Sequence, residues 1–319
     1  MKEQTSSLLL TSREIAVVRA ISNSDRPTIG ELAAIIGKSE SSISQTVKGL
    51  EKKGFVRSKK DGLKKFPQIS ERNYALSFSD MIRAEPYVPW EKLISNSNIS
   101  VLLKYATGED SFEYGISPVS TWRAIRDLAA HGLLNKRSHA KAVNDEHLLH
   151  FVKGYSEHAS RTYFLNLLPR DAIIIWRSGF RCIFKIDNSN KGAKNLPGDV
   201  FPTAISVYPE YGIQFMTPDS YFYYEPELKE ITVEDALLHT LLIGQESQTY
   251  ITYALLLYLK ARDKINLTEL LEKSQRYNLS NLVKDLIRYI RSKGKNRKWP
   301  LPKFEELREQ AELYGIVIN

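Results

Sequence analysis

Polar and cationic residues follow one another between Ser41 and Lys65 in an order that suits the binding of an anion. The segment SSISQTVKGLEKKGFVRSKKDGLKK places Ile43, Val47 and Leu50 at helical spacings of four and three, which predicts one buried stripe. Four positions are predicted to face outward, Ser41, Ser44, Gln45 and Lys48. These four and Ser42 are the residues of this helix predicted to bind. Hydroxyl, amide and ammonium groups can donate hydrogen bonds to phosphates and to base edges, so this face is predicted to bind nucleic acid.

A cationic hairpin is predicted directly after this helix. Gly54 ends the helical pattern, the strand-like run FVRSKK follows, and Asp61 and Gly62 form a dipeptide typical of hairpin turns. The later run NYALS is expected to supply the returning strand. The cations predicted to hold phosphates are Arg57, Lys59, Lys60, Lys64 and Lys65. The alternative, that these cations only keep a surface hairpin soluble, stays open.

Two shorter helices must precede and position the polar helix. The first is expected after a cap at Thr11 or Ser12, and the second, TIGELAAIIG, begins after Pro27 and stops at Gly37. Three helices followed by a hairpin resemble the winged helix-turn-helix domain of MarR-like regulators. The resemblance implies that the third helix enters the major groove of double-stranded DNA and that the hairpin, the wing, contacts the backbone or the minor groove.

The same frame recurs 78 positions further along the chain. Gly37 then falls on Gly115 and Gly54 on Gly132, and the apolar positions coincide while the outward ones change. The second set of predicted DNA-contacting residues is Trp122, Arg123, Arg126, Lys136 and Arg137. Such a repeat indicates two winged-helix units with different contacts. Whether Trp122 stacks on a base or packs in the core stays open, and the second wing shows no clear returning strand.

The C-terminal half changes from a helical to a strand-like pattern at Asp171. A hairpin is predicted around Arg177, Ser178 and Gly179, followed by short strands in TAISVYP, GIQFM and SYFYYE and then by four helices ending at Arg291. The predicted fold class is therefore α+β, with tandem winged-helix units followed by a strand-rich α+β domain with a helical C-terminus. The expected domains are residues 1–80, 81–168 and 169–319.

Catalysis is not predicted. Nucleotidyl transfer would need a Gly-Ser pair and two carboxylates two positions apart, but the chain has Ser178 and Gly179 in the reverse order and Asp187 alone. His147 and His150 lack a metalloprotease pattern and supporting cysteines, so they are interpreted as helix-surface residues. No catalytic residue, metal site or cofactor is expected.

The segment GIQFMTPDSYFYYEPELKEITVEDALLHTLLIG leads from strands through an acidic turn into a helix that opens with Glu234 and Asp235. This tail, behind a winged-helix head, resembles the AbiEi-type antitoxins of type IV toxin–antitoxin systems. The resemblance implies a C-terminal domain that is a degenerate relative of nucleotidyltransferases, autoregulation through the head, and a partner protein, a toxin, for the tail. The helix has no Arg at its start, where the family carries a Glu-Arg-Thr-type motif.

The net charge and the single cysteine limit which partners and which cellular compartment are expected. The chain of 319 residues has a formal charge of +8 and a single cysteine, Cys182, in an apolar alternating run that predicts a core residue. No signal peptide or membrane span is expected, so the predicted location is cytoplasmic.

Six cations between Arg288 and Lys298 indicate a second phosphate-contacting patch or a structural response to a helix end. The predicted function is a transcriptional regulator that binds a specific sequence of double-stranded DNA, alone or as a homodimer. An antitoxin and a plasmid- or origin-type replication initiator stay open as alternatives.

Overall fold

The computed structural model describes residues 9–113, 115–135, 145–189 and 196–318. The chain divides into two compact units. Unit 1 runs to Leu167 and includes the turn Ser178–Phe180, and unit 2 comprises 168–177 and the chain from Arg181 onward. Helices accompany two antiparallel sheets, which confirms the predicted α+β class. The predicted boundary between residues 80 and 81 stays a prediction. In the described ranges no helix has the length and apolar content required to cross a membrane.

The first part of unit 1 is a winged-helix arrangement. Its elements are α1 (Ser12–Ser22), α2 (Ile29–Ile36), α3 (Glu40–Lys52), β1 (Val56–Asp61) and β2 (Lys64–Ile69). Each helix starts at a capping hydroxyl, from Thr11, Thr28 and Ser39, which accepts a hydrogen bond from a backbone N–H of the first turn. Gly37 ends α2 in the left-handed conformation, with φ of 69°. Local sequence therefore sets both the start of each helix and the turn between α2 and α3.

The remaining described helices of unit 1 follow the wing along the chain. They are α4 (Asn73–Ala84), α5 (Trp90–Leu93), α6 (Ser97–Thr107), a 3-10 turn (Asp110–Glu113), α7 (Pro118–Ala130) and α8 (Glu146–Leu167). The expectation that NYALS forms the returning strand is wrong, because this run begins α4. A two-residue turn at Gly62 and Leu63 brings the chain back at once, so KKFPQI pairs with β1 instead.

The linker of residues 85–96, which joins α4 to α6, is docked on α1. Trp90 and Leu93 of the short α5 are fully buried. The guanidinium group of Arg19 donates to the carbonyl oxygens of Pro86 and Val88, both at 2.8 Å, and forms an ion pair with Glu91 at 2.7 Å. These contacts hold the linker against α1.

An aromatic cluster joins the winged-helix part of unit 1 to the long helix α8. The ring of Phe55, the residue after the glycine that ends α3, lies 5.1 to 6.2 Å from the rings of Tyr74, Phe78, Phe151 and Tyr155. All five rings are buried. Because Phe55 precedes β1, this cluster anchors the base of the wing.

Unit 2 contains a four-stranded sheet and a helical C-terminus. Its elements are β3 (Ile173–Ser178), β4 (Arg181–Asp187), β5 (Val200–Pro202), a 3-10 helix (Ala204–Tyr211), β6 (Asp219–Tyr224), α9 (Val233–Ile243), α10 (Gln248–Lys260), α11 (Leu267–Arg276), α12 (Ser280–Arg291) and α13 (Phe304–Leu313). The strand order is β3-β4-β6-β5. Cys182 is fully buried in β4, as expected of a core residue, and burial raises the pKa of its thiol.

Two of the strands expected in unit 2 are absent from its described residues. TAISVYP forms a 3-10 helix, and GIQFM lies outside regular structure. Ile205, Val207 and Tyr208 are all buried, which a half-buried strand of period two could not achieve, and Tyr208 donates to the hydroxyl of Thr240 at 2.9 Å. Packing against α9 therefore overrides the local preference for a strand.

A buried polar cluster crosses the core of unit 2. His239 is fully buried, and its ring nitrogens lie 2.6 Å from the Thr203 hydroxyl and 2.8 Å from the Tyr277 hydroxyl. Burial lowers the pKa of His239 to about 3, so the ring is neutral near pH 7. Beside it, Asp235 forms an ion pair with Lys273 at 3.0 Å.

Candidate nucleic-acid interface

Helix α3 is fixed at both ends and along its inner face. The Ser39 hydroxyl accepts a hydrogen bond from the N–H of Ser42 at 3.3 Å. After the last turn, Gly54 adopts φ of 73°, its N–H donates to Glu51, and the N–H of the next residue donates to Leu50 at 3.0 Å. This pair of bonds is the Schellman motif. The predicted stripe of Ile43, Val47 and Leu50 is fully buried. The outer face of α3 is therefore held in one orientation.

That outer face carries the polar residues predicted from the sequence. Ser41, Gln45 and Lys48 are exposed, and Ser42 and Ser44 are half-buried. The Ser42 hydroxyl also accepts from the guanidinium group of Arg13 on α1, at 3.2 Å. Arg13 is not among the residues predicted from the sequence, and it adds a cation at the start of α3. No local pattern could have revealed it, because the two residues lie 29 positions apart.

The wing carries its lysines on both faces of the hairpin. In the register of β1 and β2, Lys59 lies opposite Phe66, Lys60 opposite Lys65, and Asp61 opposite Lys64. Side chains alternate between the faces of a strand, and directly opposed residues share a face. Lys59 and Lys64 therefore lie on one face, and Lys60 and Lys65 lie on the other, on the side that turns toward α3.

Ion pairs divide the cations of this region into two groups. Arg57 pairs with Glu71 at 2.6 Å, and Lys65 pairs with Glu51 at 3.0 Å. Lys59, Lys60 and Lys64 are exposed and form no ion pair within the described ranges. These three are the predicted wing residues best placed to meet an external phosphate.

Two further cations near the wing have structural contacts. Lys53 turns inward, with its ammonium nitrogen 2.7 Å from both carboxylate oxygens of Glu14 and 2.6 Å from the carbonyl oxygen of Leu9. Arg26 pairs with Asp61 at 3.1 Å and lies over the ring of Phe66 at 4.5 Å. The Lys53 contacts tie the end of α3 to the start of α1, and the Arg26 contacts hold the hairpin against the loop between α1 and α2. Neither cation adds free positive charge.

The internal repeat is visible in the backbone. Helix α7 has the length of α3, and the Ser117 hydroxyl accepts from the N–H of Ser120 at 3.2 Å, as Ser39 does in the first copy. Gly132 has the same φ of 73° as Gly54, and the N–H of Leu133 donates to the carbonyl oxygen of Leu128 at 3.0 Å, as in the first copy. The copies differ in the element before this helix, which is a four-residue 3-10 turn in the second copy and an α-helix in the first.

The outward face of α7 combines an aromatic ring with cations. Trp122 is 60% exposed, so it does not pack in the core. The guanidinium group of Arg126 lies 5.0 Å from the Trp122 ring centre and also approaches Asp127 at 3.4 Å. Arg123 is exposed, with no ionic partner among the described residues. Lys136 and Arg137, predicted for the second wing, lie outside the described residues.

The histidines and the aspartate considered for metal binding or nucleotidyl transfer have the contacts of surface and structural residues. The described residues contain no group of three or more His, Cys, Asp or Glu able to hold a metal ion. His147 and His150 line a surface groove between α4 and α8. Asp187 lies opposite Asp219 in the sheet register and accepts from the backbone N–H of Ser189 at 2.8 Å. Hydrogen bonds from Ser189 lower the pKa of the Asp187 carboxyl.

Two family models match parts of the chain. The MarR family model matches residues 10–62, which cover α1, α2, α3 and the first strand of the wing. This match supports a winged helix-turn-helix regulator head, and the family consists of regulators rather than enzymes. The C-terminal domain family HVO_2833_C matches residues 199–316 of unit 2 and leaves the AbiEi-type resemblance a prediction. Comparisons with curated proteins and with solved structures found no match for this chain.

Proposed function

We propose that the chain is a transcriptional regulator that binds a specific sequence of double-stranded DNA, with α3 in the major groove and the wing on the backbone. One observation carries the proposal. A helix that is fixed at both ends exposes Gln45 and Lys48, and the wing that follows presents Lys59, Lys60 and Lys64 without ion pairs among the described residues. The match of this region to the MarR family model supports the same function.

Some side chains of α3 can provide sequence specificity, and others can provide affinity. The amide of Gln45 can form two hydrogen bonds with the edge of an adenine, and the ammonium group of Lys48 can donate to guanine or to a phosphate. The hydroxyls of Ser41, Ser42 and Ser44 suit phosphate oxygens, and such contacts fix the register of the protein on the duplex.

The wing suits a role on the backbone. Cations on both of its faces can meet phosphates of the two strands that border a groove, which a hairpin with lysines on one face could not do. Arg57 and Lys65, already paired with Glu71 and Glu51, would add less to affinity because a phosphate must compete with an internal carboxylate.

The second copy is proposed to contact DNA through Arg123 and Arg126, with the Trp122 ring available for a sugar or a base. Two reading helices in one chain favour a site with two adjacent half-sites. MarR regulators typically act as dimers, and the homodimer stays a prediction for this chain. No observation in the described ranges favours the antitoxin or the replication initiator over the regulator.

Selection of genomic fragments with the purified chain, followed by sequencing, tests the proposal. We expect the bound fragments to share a motif. Gln45→Ala should relax the preference at one position of that motif, with a loss of about 5- to 100-fold in affinity for the preferred base. Gln275→Ala, at an exposed glutamine of unit 2, is the matched control. Bound fragments without a common motif would show that the chain does not bind a specific sequence. A motif that Gln45→Ala leaves unchanged would show that α3 is not the reading helix.

A further inference from the structure

Positive charge is concentrated in unit 2 as well as in the wing. Residues 284–303 contain eight Lys or Arg and one acidic residue, Asp285, so this segment has a formal charge of +7 against +8 for the whole chain. We call the group formed by seven of these cations the C-terminal basic surface. Its members are Lys284, Arg288, Arg291, Lys293, Lys295, Arg297 and Lys298. The remaining 299 residues are therefore close to neutral, and this charge is a local feature.

The side chains of the C-terminal basic surface are exposed and largely unneutralised. All seven residues are exposed. Asp285 pairs with Arg288 at 2.7 Å and lies 3.7 Å from Lys298. Lys284, Arg291, Lys293 and Lys295 have no carboxylate partner within the described part of the chain. One carboxylate therefore serves seven cations, and most of their charge is directed to solvent.

A fixed turn holds the cations that follow α12. The N–H of Gly294 donates to Tyr289 at 3.0 Å, and the guanidinium group of Arg297 donates to the carbonyl oxygen of Leu301 at 3.0 Å. Gly294 has φ of 81°, and a Cβ at this position would lie 2.6 Å from the Cβ of Phe304, so the turn packs closely on α13. Like charges held this close repel one another, and an unconstrained tail would let them separate.

The helix dipole accounts for only part of this arrangement. Cations in the last turn of a helix are stabilised by about 0.3–1 kcal/mol each, and the effect is confined to that turn. Arg288 and Arg291 lie there. Lys293, Lys295 and Lys298 lie beyond the helix, where the dipole offers them little. A ligand with several negative charges would offset their mutual repulsion.

We propose that the C-terminal basic surface binds the phosphate backbone of double-stranded DNA, in addition to the contacts of unit 1. This proposal rests on the proposed function, because it has both units bind double-stranded DNA. Lys284, Arg288 and Arg291 share one face of α12 and span about 10 Å of helix, which corresponds to about three phosphates along one strand. The turn continues this row of charge, and Trp299, which is 71% exposed, stands at its end.

The chemistry of the surface favours DNA over an anionic membrane. Binding in a lipid interface requires apolar side chains that enter the bilayer beside the cations. Here the apolar neighbours Leu267, Leu271 and Ile287 are half-buried in a groove of about 490 Å³ between α11 and α12, and Leu301 is buried. Among the apolar residues of 284–303, only Trp299 is exposed.

Charge removal in the full-length protein tests the proposal. The variant Arg291→Gln, Lys295→Gln, Lys298→Gln removes three exposed cations of the surface. The matched control Lys229→Gln, Arg262→Gln, Lys264→Gln removes the same charge from other exposed positions of unit 2. Binding to a labelled duplex of mixed sequence is measured by fluorescence anisotropy over a range of salt concentrations, and thermal unfolding verifies that each variant is folded.

The salt dependence separates the outcomes. Each neutralised phosphate contributes about 0.9 to the slope of log K against log salt, so the test variant should flatten the slope by about 2.7 and the control should leave it unchanged. If the wild type and the test variant have equal slopes, the surface does not contact DNA, although the proposed function of unit 1 stands. If the wild type binds no duplex at any salt concentration, the proposed function itself is wrong. Loss of binding to phosphatidylserine vesicles with unchanged DNA binding would assign the surface to a membrane.

Discussion

Alanine at Gly54 and alanine at Gly132 should destabilise unit 1 by different amounts, although the two glycines occupy equivalent positions of the repeat. Both have φ of 73°, and both end a helix with the same pair of backbone hydrogen bonds. Their surroundings differ. A Cβ on Gly54 would overlap the Tyr74 hydroxyl and lie 2.5 Å from Nη1 of Arg72, whereas a Cβ on Gly132 would have no described atom within 4 Å.

The magnitudes follow from these surroundings. A left-handed conformation costs a residue with a Cβ roughly 1–2 kcal/mol, and alanine regains about 0.4–1 kcal/mol by restricting the unfolded chain. Gly132→Ala should therefore cost about 1 kcal/mol. In Gly54→Ala the Tyr74 ring must also move, which breaks its hydrogen bond to the carbonyl oxygen of Lys53 at 2.8 Å, worth about 1 kcal/mol, and adds side-chain strain of about 1 kcal/mol. We expect Gly54→Ala to lower the free energy of unfolding by about 3 kcal/mol.

Urea denaturation followed by tryptophan fluorescence measures both effects in the same transition, because both glycines lie in unit 1, where Trp90 is fully buried. Tyr74→Phe in the Gly54→Ala background removes the overlapping hydroxyl, so the double variant should be destabilised by less than the sum of the single effects. Equal destabilisation by the two alanine variants would refute the close approach of Tyr74 to Gly54. Destabilisation below about 0.5 kcal/mol for both would refute the left-handed conformation.

Three further predictions concern the interface and the core. Lys59→Glu with Lys60→Glu should weaken binding to every duplex and flatten the salt slope by about 0.9 for each phosphate that the wing no longer neutralises, which anisotropy titrations measure. Arg123→Gln with Arg126→Gln should flatten the slope by at most about 1.8, if the second copy binds phosphates. Burial in the folded protein lowers the pKa of His239 from 6.5 to about 3. Between these two pH values the unfolded chain binds a proton at His239 and the folded protein does not. Stability should fall by about 1.4 kcal/mol per pH unit from 6.5 toward 3, and urea denaturation across this range measures it.

Matched controls make these predictions decisive. Lys229→Glu with Lys264→Glu repeats the wing charge change at exposed positions of unit 2, and the wing prediction is wrong if both variants respond alike. The second copy binds no phosphate if its variant keeps the wild-type slope. For His239, the variant His239→Asn should be less stable at pH 7 but should lose less stability on acidification. An unchanged pH dependence in that variant would refute the assigned role of the histidine.

Much of the winged-helix part was determined by the sequence alone, because short-range interactions define it. Capping hydroxyls such as Ser39, left-handed glycines such as Gly37 and Gly54, and the helical spacing of apolar residues act over a few positions. The same signals located α7 through its 78-residue shift from α3. The polar outer face of α3, including Gln45, followed from its buried stripe.

Only the tertiary structure decided which cations are free. Lys53 and Lys60 belong to the same basic run, but Lys53 is neutralised by Glu14, 39 positions away, while Lys60 stays exposed. The exposure of Trp122, the 3-10 helix in place of the strand TAISVYP, and the contact between Arg13 and the start of α3 were likewise decided by packing. The physical reason is that helix starts and turns depend on neighbours along the chain, whereas burial and ion pairing depend on residues that only folding brings together.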